Sequence, residues 1–473
     1  MKYNGAVSRV ALVAVATALL LSSPALISTA DAQEDAPSAN PQDYLKEPPK
    51  PASVKGHFTV ISLGDLLYTA PQNENGDPDM QKVLEIVRAG DVAIANQEGM
   101  AFDLKTFTGS AFGPGQVYGQ PTLARDYKAM GIDMVSTANN HGMDWGGDGQ
   151  LASMKLLDEA GIAHAGGGRT LQEARGAGFF TTPKGKVALV ATASTFKPNA
   201  LAQDAFQQAP ARAGNSLLRT RTINLVTRED MDEIISVATS LASPLNPAPP
   251  AGANQIEFGD AIYRVAAKRG VQYDMNLFDE AGLLKSVRDA KQAADLVVFT
   301  IHAHETPTGV DDDTPEPPRF LIDLFHNAVD AGADVIMGGG PHSLRGIEIY
   351  KGKPIFYGLA IFMFKPTILI SQETATQNAY PPMPYPEAPD PRPTSPPIWY
   401  DSVMAATIFD GGKLTEVRLY PIDLLNAATK RRGVPHLAEG DKAREILEML
   451  QKDSKMFGTT IAIEGSVGVI RPR

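Results

Sequence analysis

The chain has 473 residues, 43% hydrophobic and 21% charged, which is enough apolar surface for a large core and too much for a disordered chain. Its formal charge of −11 excludes a general nucleic-acid binder, which needs a basic face. The absence of cysteine excludes disulfides, thiolate metal sites, cysteine nucleophiles and an acylated lipoprotein cysteine. Any metal site must therefore use His, Asp, Glu, Asn or backbone oxygen.

Residues 1–32 read as a secretory signal. Lys2 and Arg9 supply the positive start, Val10 to Leu21 the apolar run, and Ala30-Asp31-Ala32 a small-residue cleavage site. The apolar run is about a dozen residues, short of the ~20 that span a bilayer. The expectation is cleavage near Gln33, a periplasmic or secreted protein, and no stable membrane span afterwards. Residues 33–55 read as a Pro/Ala-rich linker, followed by one large domain over 56–473.

Within that domain, short apolar strands alternate with helices that stop at glycines. Strands are predicted at His57–Leu63, Asp91–Asn96, Ile132–Thr137, Lys186–Ala193, Asp295–Ile301 and Ala333–Met337. Helices are predicted at Met80–Ala89, Leu123–Met130, Gly147–Ala160 and Pro318–Ala331. This alternation indicates an α/β sheet. After Gly346 antiparallel hairpins are expected, turning at Lys351-Gly352-Lys353 and Asp410-Gly411-Gly412. Two segments read as insertions, about 229–273 and 372–397. The proline-rich end of the second, Pro381 to Pro397, is a candidate lid or partner surface.

In an open α/β sheet the ligand site lies beyond the carboxyl ends of the strands. Polar residues collect there: Asp65 after the first strand, Asn96 and Glu98 after the second, Asn139-Asn140-His141 after the third. His302, His304 and Glu305 follow the strand from Asp295, and His342 follows Gly338-Gly339-Gly340-Pro341. Each alone is commonly a cap, a turn or a structural histidine. Together they make the carboxylate, amide and imidazole mixture that suits Mn²⁺, Zn²⁺ or iron, one or two ions. Gly166-Gly167-Gly168 lacks the ending of a phosphate loop, and no Gly-x-Ser-x-Gly elbow is present.

Gly64-Asp65, Asn96-Gln97-Glu98, Asn139-Asn140-His141-Gly142-Met143-Asp144, His302-Ala303-His304-Glu305, Gly340-Pro341-His342 and Arg345 to Gly358 come in the order of the CapA family, and the sequence resembles those capsule or poly-γ-glutamate biosynthesis proteins over about residues 57–366. The resemblance implies a metallophosphoesterase-like four-layer α/β/β/α sandwich with C-terminal antiparallel strands. It implies metal ligands at Asp65, Glu98, Asn140, His302 and His342. Catalytic roles are expected for His141, His304 and Asp144, and substrate contacts for Asn96, Asn139, Glu305 and Arg345. Leu67 departs from the phosphoesterase pattern, a loss shared with CapA relatives. The sequence departs from the family pattern itself at Gly339, where a histidine is expected, and at Ala360-Ile361, where Gly-Asn is expected. Two functions follow. One is a metal-dependent hydrolase acting on a phosphoester or an amide of an anionic envelope polymer. The other is a non-catalytic polymer-binding accessory protein that works with envelope biosynthesis proteins and has a degenerate site. The second needs a local basic cleft, for which Arg345, Lys351 and Lys353 are candidates.

Overall fold

Strand β1 (His57–Tyr68) is the centre of the larger of the two main sheets. The computed structural model describes residues 38–73, 76–110, 116–310, 314–365, 397–425 and 431–472. The signal segment and the proline-rich excursion, Pro397 excepted, lie outside them. Parallel to β1 run β2 (Val92–Gln97), β3 (Met134–Ser136) and β4 (Ala163–Ala165). The connecting helices are α1 (Pro78–Ala89), α2 (Leu123–Met130) and α3 (Gly146–Ala160). The second sheet is built on β6 (Gly185–Ala193) with the antiparallel edge strand β5 (Gly178–Thr182).

Between these sheets in sequence lies a small separate one. Strands β7 (Thr220–Val226), β8 (Gln255–Phe258), β9 (Ala261–Val265) and β10 (Gly270–Met275) form it in the order β8-β9-β7-β10. Helix α4 (Arg228–Ser240) buries Met231 and Ile235 against Ile256. The insertion expected at 229–273 is thus an α/β unit that begins at Thr220. Its strands are short and partly exposed, so their alternation was weak beside the Pro-Ala run.

Helix α5 (Leu277–Ala293) then leads into β11 (Leu296–His302), and α6 (Arg319–Ala331) into β12 (Val335–Gly339). The hairpin of β13 (Ile347–Tyr350) and β14 (Lys353–Phe356) completes the second sheet, in the order β13-β14-β12-β11-β6-β5. β15 (Ile361–Lys365) and the hairpin of β16 (Asp401–Asp410) and β17 (Lys413–Asp423) return to β1. The C-terminal hairpins therefore extend both sheets and do not form a separate half. Helix α7 (Gly440–Ser454) and the strands β18 (Ala462–Glu464) and β19 (Val467–Ile470), absent from the sequence expectations, close the first sheet's edge.

Three large apolar clusters hold the two main sheets and their helices. One joins the two sheets through Phe58, Val60 and Ile94 on one side and Leu189, Val298 and Met337 on the other. A second packs α1 and α2 on the first sheet through Val83, Leu84, Tyr127 and Met130. A third packs α5 and α6 on the second sheet through Leu284, Val287, Leu324 and Phe325. This is a mixed α/β architecture. Residues 38–55, expected as a tether, are also packed: Val54 is buried, Ser53 Oγ donates to Asp295 at 2.6 Å, and Arg288 Nε donates to the Tyr44 carbonyl at 2.7 Å. Their lack of apolar periodicity concealed contacts made mainly by backbone and polar groups.

Candidate metal centre

Asp65 lies within β1, where the strand changes partners. β16 pairs with its first half and β15 with its second, and the register shifts between Ser62 and Asp65. Asp65 N–H donates to the Ala360 carbonyl at 3.0 Å. Gly64 is needed beside it, because a Cβ there would lie 2.0 Å from that same oxygen. Ala360 has a φ of 57°, the left-handed conformation that explains why glycine is the expected residue there.

The parallel strands deliver the other groups to the same end. Glu98 follows β2, His302 ends β11, and His304 lies two residues further on. Glu98 is 2% exposed, and neither carboxylate oxygen has a hydrogen-bond partner. Around its Oε1 lie His141 Nε2 at 3.9 Å, His342 Nε2 at 3.9 Å and His302 Nε2 at 4.0 Å. Two donor groups share this carboxylate: Glu98, His304 and His342, and Asp65, Glu98 and His302. Asn140 Oδ1 is likewise buried without a partner, and its Nδ2 is 3.4 Å from His304 Nε2.

A buried carboxylate without hydrogen bonds is costly unless a cation meets it. The donor chemistry and the unsatisfied Glu98 and Asn140 oxygens therefore fit a divalent metal. Burial and the Glu98 charge push the Asp65 carboxyl up to about 8. Burial also acts to raise Glu98, but His342 and His302 outweigh it and hold Glu98 down at about 2. His302 is driven down to about 3 by burial, against the pull of Glu98. Burial thus favours a neutral His302, the form that metal ligation requires.

His141 and Asp144 form an oriented pair. His141 Nδ1 is 2.8 Å from Asp144 Oδ2, which also accepts from Val117 N–H at 2.6 Å. Lys197, from the loop after β6, forms an ion pair with Asp144 Oδ1. Asp144 is fully buried, and its contact with Nδ1 fixes the His141 ring.

The four residues expected to contact substrate are buried and hydrogen-bonded within the protein. Asn139 Nδ2 donates to the Gln97 carbonyl at 2.7 Å and to Asn96 Oδ1 at 3.1 Å. Asn96 Nδ2 donates to Asp65 Oδ1 at 2.8 Å and lies 3.1 Å from His302 Nδ1. These buried amides orient the ligand residues. Glu305 accepts from Ser194 Oγ at 2.8 Å and Thr195 Oγ1 at 3.0 Å. Arg345 is fully buried and donates to the Glu305 and Thr314 carbonyls. No basic cleft forms from Arg345, Lys351 and Lys353. Lys351 pairs with Asp330 and Lys353 with Asp334, at the turn and the start of β14, whose other end leads to the centre. A basic residue in a strand-rich sequence does not reveal whether its charge is already paired.

Sequence reasoning missed Ser194, Thr195 and Lys197. They directly follow β6, so the strand-end rule used for the other groups would have found them. Gly166 to Gly168 is a close backbone approach, with a Cβ at Gly167 only 2.6 Å from Gln150 Nε2.

The model of the family "Bacterial capsule synthesis protein PGA_cap" matches residues 59–366. The chain is 35% identical over 438 residues to the uncharacterized protein y4sH of Sinorhizobium fredii, covering 88% of this chain and 93% of that one. It is 40% identical over 78 residues to the PGA biosynthesis protein CapA of Bacillus subtilis, covering 16% of this chain and 19% of that one. With the capsule biosynthesis protein CapA of Bacillus anthracis it shares 41% over 86 residues, 17% of this chain and 20% of that one. Since the family model spans more than half of the residues, including every donor of the centre, the chain belongs to the bacterial capsule synthesis protein family.

Proposed function

We propose that this protein is an exported, metal-dependent hydrolase of envelope or capsule polymer metabolism, of the poly-γ-glutamate type. Its three apolar interfaces read as a four-layer α/β/β/α frame related to metallophosphoesterases. The observation that carries the reading is Glu98, buried with both oxygens unsatisfied and facing His141, His302 and His342. Asp65, Glu98, His302, His304 and His342, with Asn140, would hold one or two divalent ions. An ion there supplies Lewis-acid polarisation of a phosphoryl or carbonyl oxygen and lowers the pKa of water.

The chain's own residues supply the rest. Asp144 ties up His141 Nδ1, so Nε2 faces the centre and is placed to pass a proton to a leaving group. The buried Asn139–Asn96 pair holds Asp65 and His302 at fixed orientations. The accessory reading draws on Gly339, but it requires a cationic surface for a polyanion. The basic residues expected to provide one are paired elsewhere or buried.

The test is to incubate the metal-loaded protein with bis(4-nitrophenyl) phosphate and, separately, with poly-γ-glutamate. Turnover of one of them is expected, abolished by a chelator and reduced about 10²–10⁴-fold by His141→Ala. Binding of the polymer without cleavage under every metal tried would favour the accessory role.

A further inference from the structure

We propose that His304 is this chain's substitute for a metal-ligating side chain at position 339. We further propose that the Thr195–Glu305–Arg345 contacts hold it in that place. The inference rests on the metal reading above.

Strands β11 and β12 are parallel neighbours, and their register sets His302 opposite Gly339 at the end that carries the centre. Ala303 N–H extends the pairing by donating to the Gly339 carbonyl at 2.8 Å. The φ of Gly339 is not in the left-handed region, so its backbone does not demand glycine. A Cβ at Gly339 would lie 3.0 Å from Asp65 Oδ1, with no other neighbour closer than 3.9 Å. A side chain at 339 would therefore enter the donor ring beside Asp65, and this chain supplies none.

His304 reaches the same ring from the adjacent segment. Its Nε2 is 3.1 Å from His302 Nε2, and its ring centroid is 5.4 Å from that of His342. The two imidazoles meet in a hydrogen bond, and donors of one ion with ~2.0–2.1 Å bonds would stand at a similar separation, so both nitrogens can serve one site. Beyond the end of β11 nothing in strand geometry obliges residue 304 to turn inward. Thr195 does so by accepting the His304 N–H at 2.9 Å while donating to Glu305 at 3.0 Å. Arg345 Nη2 fixes the next carbonyl, that of Glu305, at 3.0 Å.

The experiment titrates the chelator-stripped chain with Mn²⁺ and with Zn²⁺ by calorimetry, for wild type, His304→Gly and the double variant His304→Gly/Gly339→His. Affinity is expected to fall about tenfold or more in His304→Gly. It should recover at least in part when the imidazole is returned from position 339. His304→Gln, which keeps the side-chain bulk, is the companion variant if the glycine loosens the loop, and it should show the same loss. Equal affinity of wild type and both single variants would overturn the proposal, and so would a loss that Gly339→His leaves unrestored. A wild-type chain that takes up neither ion would instead remove the metal reading itself, and this inference with it.

Discussion

Asp65, pushed up to about 8 by burial and by Glu98, and His302, pushed down to about 3 by burial, give the metal-free protein a distinctive pH response. Between pH 3.8 and 8 the folded chain keeps the Asp65 proton and the unfolded chain releases it, so this group's contribution to stability falls as pH rises. Between pH 3 and 6.5 the unfolded chain binds a proton at His302 and the folded chain does not, so that contribution rises with pH. The two oppose each other up to about pH 6.5, and above it Asp65 acts alone. Thermal melts in chelator should show a decline between pH 6.5 and 8 that Asp65→Asn removes; a wild-type curve flat across that window would contradict the assignment. Lys197 allows a second test. Its ammonium compensates the buried Asp144, and Lys197 is 22% exposed at its side chain. Lys197→Met should destabilise the fold by less than the ~3–5 kcal/mol of a fully buried broken pair. Lys197→Arg should restore most of it, as read from urea midpoints.

At the scale of elements, helix α1 illustrates what a sequence reveals and what it withholds. Its apolar spacing was legible, but its start was placed at Met80, whereas the helix begins at Pro78 behind the N-cap Asp77. Asp77 accepts from Asp79 N–H at 3.0 Å and Met80 N–H at 3.2 Å, and Arg431 Nε donates to it at 2.7 Å. Burial alone would raise its carboxyl, but Arg431 and the cap outweigh it and bring Asp77 to about 2. Its stabilisation is present above pH 3.8 and lost as pH falls towards 2. Asp77→Ala should cost about 1–2 kcal/mol near pH 7. The difference from wild type should shrink in acid, and a constant difference would show that the charge does nothing. Arg431 is 354 residues away in sequence, so no local pattern announces it. The buried strands were legible for the opposite reason: β1, β2, β6 and β11 are rich in apolar residues and buried along most of their length. The strands of the β7–β10 sheet are short and partly exposed, and the sheet was missed.

For the molecule as a whole, the donor set was readable because its members lie at or just beyond the carboxyl ends of the strands predicted from the sequence, and two sheets packed together bring those positions to one place. The direction of polar side chains was not readable. Asn96, Asn139, Glu305 and Arg345 stand among the donors in sequence, yet all four turn inward and brace the centre. Nor could a formal charge of −11 show that Lys351 and Lys353 are already paired. In the proposed function, with no cationic cleft from those residues, attraction of an anionic polymer would fall to bound metal, and metal binding in turn to Glu98. The most direct measurement is elemental mass spectrometry of the purified protein beside Glu98→Gln. Manganese, zinc or iron at one to two ions per chain in the wild type, and a large loss in the variant, is the expected result. A wild-type protein that carries no more metal than Glu98→Gln would contradict the metal centre, and with it the hydrolase.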